Sequence, residues 1–396
     1  MRHAYLVLLL AVALVCAACG STVQGTAVKS TGGPTGPALN FDSLDPGRYP
    51  TKPREPLGVT GDPLVGAIVE AQRMANHVIG PWEVDPVLTG YFAFGAVVMP
   101  AAETLALIGP MDLAAAAGRH SMVNAFASAR TEENRRILLN AVLRFSDEGA
   151  ASAAATDMGE TAMRQQGADG PARKQEIPGH PEAQANSYTT ADRSAGRWNA
   201  VRSFTAHGPY VLMQLAQSAD GMDQAAQLVA KSLDLQVPEI DKFRATDPSE
   251  FADISLDPSG LLARTIPLER RDPSFAKNAT YEKRGALHFQ SDANRSAKLF
   301  DDTGVDLVAM ADTNVYETRD ADGAKGVAEG FYAEVSPTAK PATAVPNMPG
   351  SRCLQLTDGA FYCLATADRY ALEVSAPTLL AAQQMTAAQY IMLMSQ

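Results

Sequence analysis

Ile137-Leu-Leu-Asn-Ala-Val-Leu-Arg-Phe145 and the acidic turn after it, Ser146-Asp-Glu-Gly-Ala150, decide the fold because the chain repeats this pattern. The second copy runs from Val305-Asp-Leu-Val-Ala-Met310 to Tyr316 and then into Asp320-Ala-Asp-Gly-Ala324. A short apolar run bounded by turn residues predicts a strand. Acidic residues just before an alanine-rich stretch are typical of a helix N-terminus. Each copy therefore predicts a strand followed by a helix.

The two copies continue to correspond when Gly149 is aligned with Gly323. In each, a polar loop with several prolines comes next, then short strand-like runs, then a final helix. The corresponding pairs are the loops 165–184 and 336–351, Tyr210 and Tyr370 within the strands, and the final helices 220–235 and 377–394. Each unit thus has the order strand, helix, meander, helix.

This order predicts an α+β fold, with antiparallel sheets that carry helices on one face. Two such sheets in one chain could pack face to face as an intramolecular pseudo-dimer. We predict an N-terminal α+β domain at residues 41–265 and a C-terminal α+β domain at residues 266–396, joined by a charged, proline-rich linker.

The start of the chain predicts export and lipid attachment at Cys19. A basic tip and about a dozen apolar residues lead to Cys16-Ala-Ala-Cys19-Gly-Ser21, the arrangement of a signal peptide. Residues 1–18 would be removed, and Cys19 would carry a diacylglycerol and an acylated amine. The alternative is an ordinary secreted protein cut near Ala18. Residues 19–40 are rich in Gly, Thr, Ser and Pro and are predicted to be a disordered tether.

Charge and composition exclude some classes of partner. The chain has 396 residues and a formal net charge of −11. A net acidic protein of this kind does not favour nucleic acid or electrostatic docking on anionic lipid. The acyl anchor on Cys19 must therefore supply the membrane attachment, on the extracytoplasmic face of the plasma membrane.

Two cysteines remain in the body of the protein, Cys353 and Cys363, and they flank Thr357-Asp-Gly359. A two-residue Asp-Gly turn would set Cys353 opposite Leu364. A three-residue loop with Gly359 left-handed sets Cys353 opposite Cys363 at a non-hydrogen-bonded site, where the Cα atoms come within disulfide range. An even cysteine count also suits an oxidising compartment. We predict a cross-strand disulfide.

No familiar catalytic or cofactor motif occurs in the chain. It has no G-x-S-x-G, H-E-x-x-H, phosphate loop or G-x-G-x-x-G. The histidines do not pair at metal-ligand spacing. We therefore predict no metal site and no cofactor, and a non-enzymatic role is favoured.

His288 is the best of a weak set of site candidates. It lies among polar residues that include Arg295 and Asp306. These three side chains could line a ligand pocket between the two sheets. The alternative is a solvated helix face with capping charges.

Three segments carry a resemblance to a known family. Leu44-Asp-Pro-Gly-Arg-Tyr-Pro50, Pro81-Trp-Glu-Val-Asp-Pro86 and Leu287-His-Phe-Gln290, together with the leader, resemble a family of mycobacterial and nocardial lipoproteins of unknown function. The resemblance implies an actinobacterial cell envelope and a surface-anchored body, and it carries over no catalytic residue.

Three hypotheses follow. The first is a tethered extracytoplasmic module that binds an envelope protein, lipid or glycan. The second is a small-ligand carrier or enzyme with its site between the two sheets. The third is a structural part of an envelope assembly, which a large exposed apolar patch would favour.

Overall fold

The computed structural model describes residues 40–192, 196–269 and 275–395. The predicted leader, Cys19 and the tether up to residue 39 lie outside the described residues. Within the described part of the chain, no helix is both long enough and apolar enough to cross a membrane.

The first half of the chain folds around a seven-stranded antiparallel sheet. Its strands are β1 (Gly90–Met99), β2 (Met122–Glu132), β3 (Arg136–Phe145), β6 (Arg173–Lys174), β7 (Gln184–Asp192), β8 (Gly196–His207) and β9 (Tyr210–Ser218). Their order across the sheet is β1-β2-β3-β9-β8-β7-β6. A separate short ladder joins β4 (Gln166–Gly167) to β5 (Gly170–Pro171). The helices are α1 (Pro63–Met74), α2 (Pro81–Val84), α3 (Met111–Arg119), α4 (Glu148–Ala162) and α5 (Met222–Ile240).

The second half repeats this sheet with the same strand order. Its strands are β10 (Ala279–Glu282), β11 (Leu307–Met310), β12 (Thr313–Glu317), β13 (Lys340–Ala342), β14 (Arg352–Gln355), β15 (Phe361–Ala367) and β16 (Tyr370–Ala376). Across the sheet they run β10-β11-β12-β16-β15-β14-β13. The helices are α6 (Lys283–Leu287), α7 (Ala293–Thr303), α8 (Ala321–Val335) and α9 (Leu379–Met394). The predicted α+β class and the duplication are confirmed, and the repeat extends to all seven strands.

The helix N-caps set the register of the two copies. The side chain of Asp147 accepts a hydrogen bond from the Ala150 N–H at 2.8 Å, and that of Asp320 accepts one from the Gly323 N–H at 2.8 Å. Gly323 therefore corresponds to Ala150, one residue away from the Gly149 of the sequence alignment. The buried faces agree with this register, since Met158 of α4 and Phe331 of α8 take equivalent buried places.

Helices cover both faces of each sheet, and the expectation of one covered face is wrong. In β3, Leu139 packs in the same apolar cluster as α4, whereas its neighbour Leu138 packs in the cluster that contains α5. Successive side chains of a strand point to opposite faces. The uninterrupted apolar run of β3 is thus the pattern of a strand buried on both sides.

The two halves share one hydrophobic core. Leu138 and Leu212 of the first sheet belong to the same buried cluster as Val308 and Tyr316 of the second. Helix α1 joins the halves, because it contacts β2 on one side and β10 and α6 on the other. Helices and turns form this junction.

The segment at residues 41–54, the start of the predicted N-terminal domain, hydrogen-bonds to the second half. Asn347 Nδ2 donates to the Ser43 carbonyl at 2.7 Å. Gln384 Nε2 donates to Asp45 Oδ2 at 2.8 Å. The start of the described chain therefore lies against the C-terminal half.

The predicted disulfide is confirmed. Cys353 and Cys363 are direct register partners on β14 and β15, with their Cα atoms 4.2 Å apart and their sulfurs bonded. The Leu356 N–H donates to the Ala360 carbonyl at 2.8 Å, and Gly359 has a φ of 89°. The three-residue loop is therefore the one that forms, because glycine tolerates this left-handed conformation.

Candidate functional site

His288 is buried where the two halves meet, and its side chain is hydrogen-bonded to the first half. Its Nδ1 accepts from Ser128 Oγ at 2.9 Å, and its Nε2–H donates to the carbonyls of Ala75 and Val78 at 3.1 Å each. Two carbonyl acceptors at Nε2 assign the proton to that nitrogen. Burial, with the nearby Arg130 charge as a second cause, lowers the pKa of His288 to about 3. The ring is therefore neutral, and both of its nitrogens are engaged in hydrogen bonds.

The structure does not bring His288, Arg295 and Asp306 into one pocket. Arg295 is half exposed on α7, and its Nε lies 3.9 Å from Glu334 Oε2. Asp306 is exposed just before β11. Only Arg295 approaches the cavity described next, through its contact with Glu334.

A cavity of about 210 Å³ lies on the second sheet under α8, at the edge of the first half. We call it the tyrosine pocket. The polar side chains that line it include Tyr91, Asn314, Tyr316, Glu334, Tyr362 and Glu373. Tyr91 comes from the first half and the others from the second, so the cavity forms only when the halves are joined.

Glu373 is the centre of the hydrogen-bond network in this pocket. Its Oε2 accepts from Tyr316 Oη at 2.6 Å and from Asn314 Nδ2 at 2.9 Å, and its Oε1 accepts from Tyr362 Oη at 3.0 Å. Lys277 Nζ donates to Asn314 Oδ1 at 3.0 Å, which turns the amide NH₂ of Asn314 toward the carboxylate. The carboxylate is thus held rigidly by three donors.

The phenols of the pocket stay protonated. Burial raises the pKa of Tyr316 well above its usual value, and the Glu373 charge adds to the effect. The pKa of Tyr362 is raised for the same two reasons in the same order. Both hydroxyls therefore act as donors to Glu373 across the physiological range.

Tyr91 covers one side of the pocket and is itself held from behind. Its hydroxyl donates to the Phe289 carbonyl at 2.7 Å. The guanidinium carbon of Arg130 lies 4.0 Å from the centre of the Tyr91 ring, and Arg130 Nη2 donates to the His288 carbonyl at 2.7 Å. Gly95 is required here, because a Cβ at that position would overlap the Tyr91 ring.

The first half provides an internal comparison for Glu373. Tyr210 and Tyr370 open β9 and β16, so Met213 and Glu373 are equivalent, each three residues further on. The register agrees, since Met213 pairs with Ala141 and Glu373 pairs with Asn314. A buried thioether in one copy thus corresponds to a carboxylate in the other.

The other polar residues of the pocket also replace core residues of the first copy. By the same registers, Leu143 corresponds to Tyr316, Arg202 to Tyr362 and Thr161 to Glu334. In the first half, Ala141, Leu143 and Met213 are completely buried in a packed apolar cluster. At the positions of Asn314, Tyr316 and Glu373 the fold therefore accepts apolar side chains, so the fold itself does not require these three polar residues.

A larger cavity, of about 280 Å³, lies in the groove between the halves. Two of its charged side chains, those of Arg73 and Lys242, are already paired. Arg73 contacts Glu70 and donates to Thr246 Oγ1 at 2.7 Å, and Lys242 Nζ donates to Glu239 at 2.7 Å. The groove is a seam closed by ion pairs, and we do not assign it as the site. Among the described residues, no group of three or more His, Cys, Asp or Glu could hold a metal ion.

The sequence reasoning missed Glu373, Tyr316, Tyr362 and Asn314. A signal was present, because Tyr210-Val-Leu-Met213 and Tyr370-Ala-Leu-Glu373 are matching strand segments that differ at the last residue. A charge that replaces an apolar residue at an inward-facing strand position indicates a site.

Two family models match the chain. The model for the N-terminal part of the domain of unknown function DUF7373 matches residues 57–256, and the model for its C-terminal part matches residues 261–396. Comparison with curated proteins gave no match.

Among solved structures, the chain is similar to the crystal structure of the extracellular domain of PknH from Mycobacterium tuberculosis. The identity is 16%, the TM-score is 0.28, and the match covers 42% of this chain and 94% of that one. A likeness at this level supports no functional inference.

Proposed function

The chain belongs to the DUF7373 family, whose function is unknown, and from its own residues we propose that it is an extracytoplasmic binding protein whose tyrosine pocket holds a small ligand. This is the carrier form of the second hypothesis, with the site moved from His288 to Glu373. The proposal includes the lipid anchor on Cys19 and the actinobacterial envelope that the sequence resemblance implies.

One observation supports a ligand-binding role for the pocket. The same core position is filled by Met213 and Leu143 in the first half and lined by Glu373 and Tyr316 in the second. Removing a carboxylate from water costs free energy even when it accepts hydrogen bonds. A buried carboxylate that costs free energy in this way is most often found where it contacts a ligand.

The location outside the plasma membrane is supported by two features. The Cys353–Cys363 disulfide joins neighbouring strands, and disulfides persist mainly in oxidising compartments. The leader ends at Cys19 in the arrangement of a lipoprotein. Two or more acyl chains on Cys19 would be enough to anchor the folded protein stably to a bilayer.

The first experiment is native mass spectrometry of residues 40–396, which form one compact unit. The protein is secreted from an actinobacterial host, and its native mass is compared with its denatured mass. We expect an extra mass in the native protein that is lost in the Glu373→Gln variant and kept in Asp306→Asn, which changes an exposed acid outside the pocket. A bare mass in every preparation would count against the proposal.

The anchor has its own test. Replacing Cys19 with Ser should move the full chain from the membrane fraction to the soluble extracytoplasmic fraction and remove the acyl mass from its first mature residue. If the protein stays in the membrane fraction after this change, the proposed anchor is wrong.

A second candidate, a part in an envelope protein assembly, is favoured by an apolar surface near α3. Phe94 and Leu107, which are 59% and 38% exposed, line the same apolar cavity, and Met111, which is 80% exposed, begins α3. Cross-linking on intact cells with wild-type protein and with Met111→Lys tests it. A partner captured only by the wild-type chain would support this role.

A further inference from the structure

We propose that the ligand of the tyrosine pocket is a small organic cation, whose positive charge is balanced by Glu373 and Glu334. This rests on the proposed function, because it names the class of ligand for the same pocket.

The lining of the pocket is acidic. Glu373 and Glu334 both line it, and no Lys or Arg does among the described residues. Arg295 reaches Glu334 from outside at 3.9 Å, and Lys277 lies on the far side of Asn314. A ligand in the cavity therefore meets two carboxylates before it meets any cationic side chain.

Glu373 in particular has no ion-pair partner among the described residues. Its three hydrogen bonds come from two phenols and an amide, which orient the carboxylate without cancelling its charge. A partly buried charge of this kind is stabilised most by an opposite charge nearby. A cationic ligand would supply that charge, whereas an anion would be repelled.

The aromatic lining also suits a cation. The aromatic residues Tyr91, Tyr316, Phe331 and Tyr362 line the cavity, and aromatic rings attract an ammonium or quaternary ammonium group. A bare metal ion fits less well, since the described residues offer no group of three carboxylate or imidazole ligands.

The size of the cavity limits the ligand to a small molecule or a head group. A volume of about 210 Å³ equals roughly seven water molecules at about 30 Å³ each. Choline and ethanolamine are on this scale. Both occur free and as lipid head groups, so the two sources must be separated by experiment.

The test is isothermal titration calorimetry on the full chain, purified in a non-ionic detergent without choline groups. The cationic probes are choline and ethanolamine. The neutral probe is 3,3-dimethylbutan-1-ol, which has the shape of choline without its charge, and glucose represents a neutral sugar. We expect choline or ethanolamine to bind at least about tenfold more tightly than the neutral alcohol, and binding to weaken as salt is raised.

The acid variants separate charge from shape. Glu373→Gln and Glu334→Gln should each weaken cation binding by about tenfold or more and weaken any binding of the neutral alcohol by much less. Asp306→Asn is the matched control and should bind as the wild type does. Glu334→Gln also protects the test against misfolding, because Glu334 does not take part in the hydrogen-bond network around Glu373.

The outcomes distinguish this inference from the proposed function. If the alcohol binds as tightly as choline, or if glucose binds and the cations do not, the pocket is real and the cation inference is overturned. If no probe binds and the native mass is bare, both fail. Tighter binding of a short-chain phosphatidylcholine or phosphatidylethanolamine than of the free amine would support a lipid head group as the source, and the reverse would support a free amine.

Discussion

Gln236 and Gln389 hold the same buried position in the two halves of the chain, each on the last helix of its unit. Each side chain is completely buried, and each accepts a hydrogen bond from a backbone N–H while it donates to the carbonyl two residues earlier. The partners are Ile79 and His77 for Gln236, and Ile266 and Arg264 for Gln389, all at 2.8–2.9 Å. The repeat therefore begins upstream of β1 and β10, at residues 77–79 and 264–266.

Replacing either glutamine with Ala should lower the free energy of unfolding by about 2–4 kcal/mol, because a buried backbone N–H and carbonyl lose their partners. Urea denaturation followed by circular dichroism measures the loss. The control is Gln227→Ala on the exposed face of α5, which should change stability by no more than about 0.5 kcal/mol. If Gln389→Ala behaves like the control, the equivalence of the two positions has no energetic meaning.

His288 should make the protein sensitive to acid. Because its folded pKa is lowered from 6.5 to about 3, the unfolded chain binds a proton at His288 below pH 6.5 and the folded chain does not. Stability is therefore lost as pH falls from 6.5 toward 3, by about 1.4 kcal/mol per pH unit at most. Above pH 6.5 this residue has no effect on the slope.

The measurement for His288 compares the wild type with His288→Gln, which cannot titrate. Between pH 6 and pH 4 the wild type should lose about 2–3 kcal/mol more than the variant. The ring signals of His288 in NMR should not titrate above pH 4. A ring that titrates near pH 6 would show that the site is open to water.

We expect that Glu373, Tyr316 and Tyr362 can be replaced together by apolar residues with little loss of stability. The triple variant Glu373→Met, Tyr316→Phe and Tyr362→Phe removes the acceptor together with the two hydroxyls that depend on it. Its stability should be close to that of the wild type, because the acceptor is removed together with two of its three donors, and of these three only Asn314 Nδ2 loses a partner. The triple variant should no longer bind the ligand.

The matched control for the triple variant is Glu373→Met alone. It leaves two buried phenol hydroxyls without their acceptor and should cost about 1–3 kcal/mol. Thermal unfolding compares the three proteins. A triple variant that is less stable than the single one would mean that the network serves the fold.

The disulfide should contribute a modest part of the stability. Replacing Cys353 and Cys363 with Ala together should lower the free energy of unfolding by about 2–3 kcal/mol, because the bond closes a short loop of the unfolded chain. Reduced wild-type protein should show the same loss. No change on reduction would show that the bond does not form in solution.

Much of the fold could be predicted from local patterns. The strand and helix of each copy follow from apolar runs and acidic N-caps such as Asp147 and Asp320. The hairpin loop at Thr357-Asp-Gly359 follows from turn chemistry, because Gly359 tolerates a positive φ. The one-residue slip of the repeat arose because glycine is a weak marker within a helix, whereas an N-cap is fixed by its hydrogen bond.

The candidate site could not be predicted in this way. His288 is polar in sequence, yet three partners from the first half bury and satisfy it. Glu373 is a single charge in an apolar strand, and its meaning depends on Tyr316 and Tyr362, which lie 57 and 11 residues away in the chain. Tyr91, still further away, completes the cavity.

The α+β class, the duplication and the cysteine pairing could be predicted from the residues alone, because these rest on short-range periodicity, capping and turn geometry. The buried structural role of His288 and the exposure of Glu373 to a cavity became clear only from the three-dimensional arrangement. These facts depend on which strands are neighbours across the sheet and on what packs above them, and such long-range contacts leave no periodic trace in the chain.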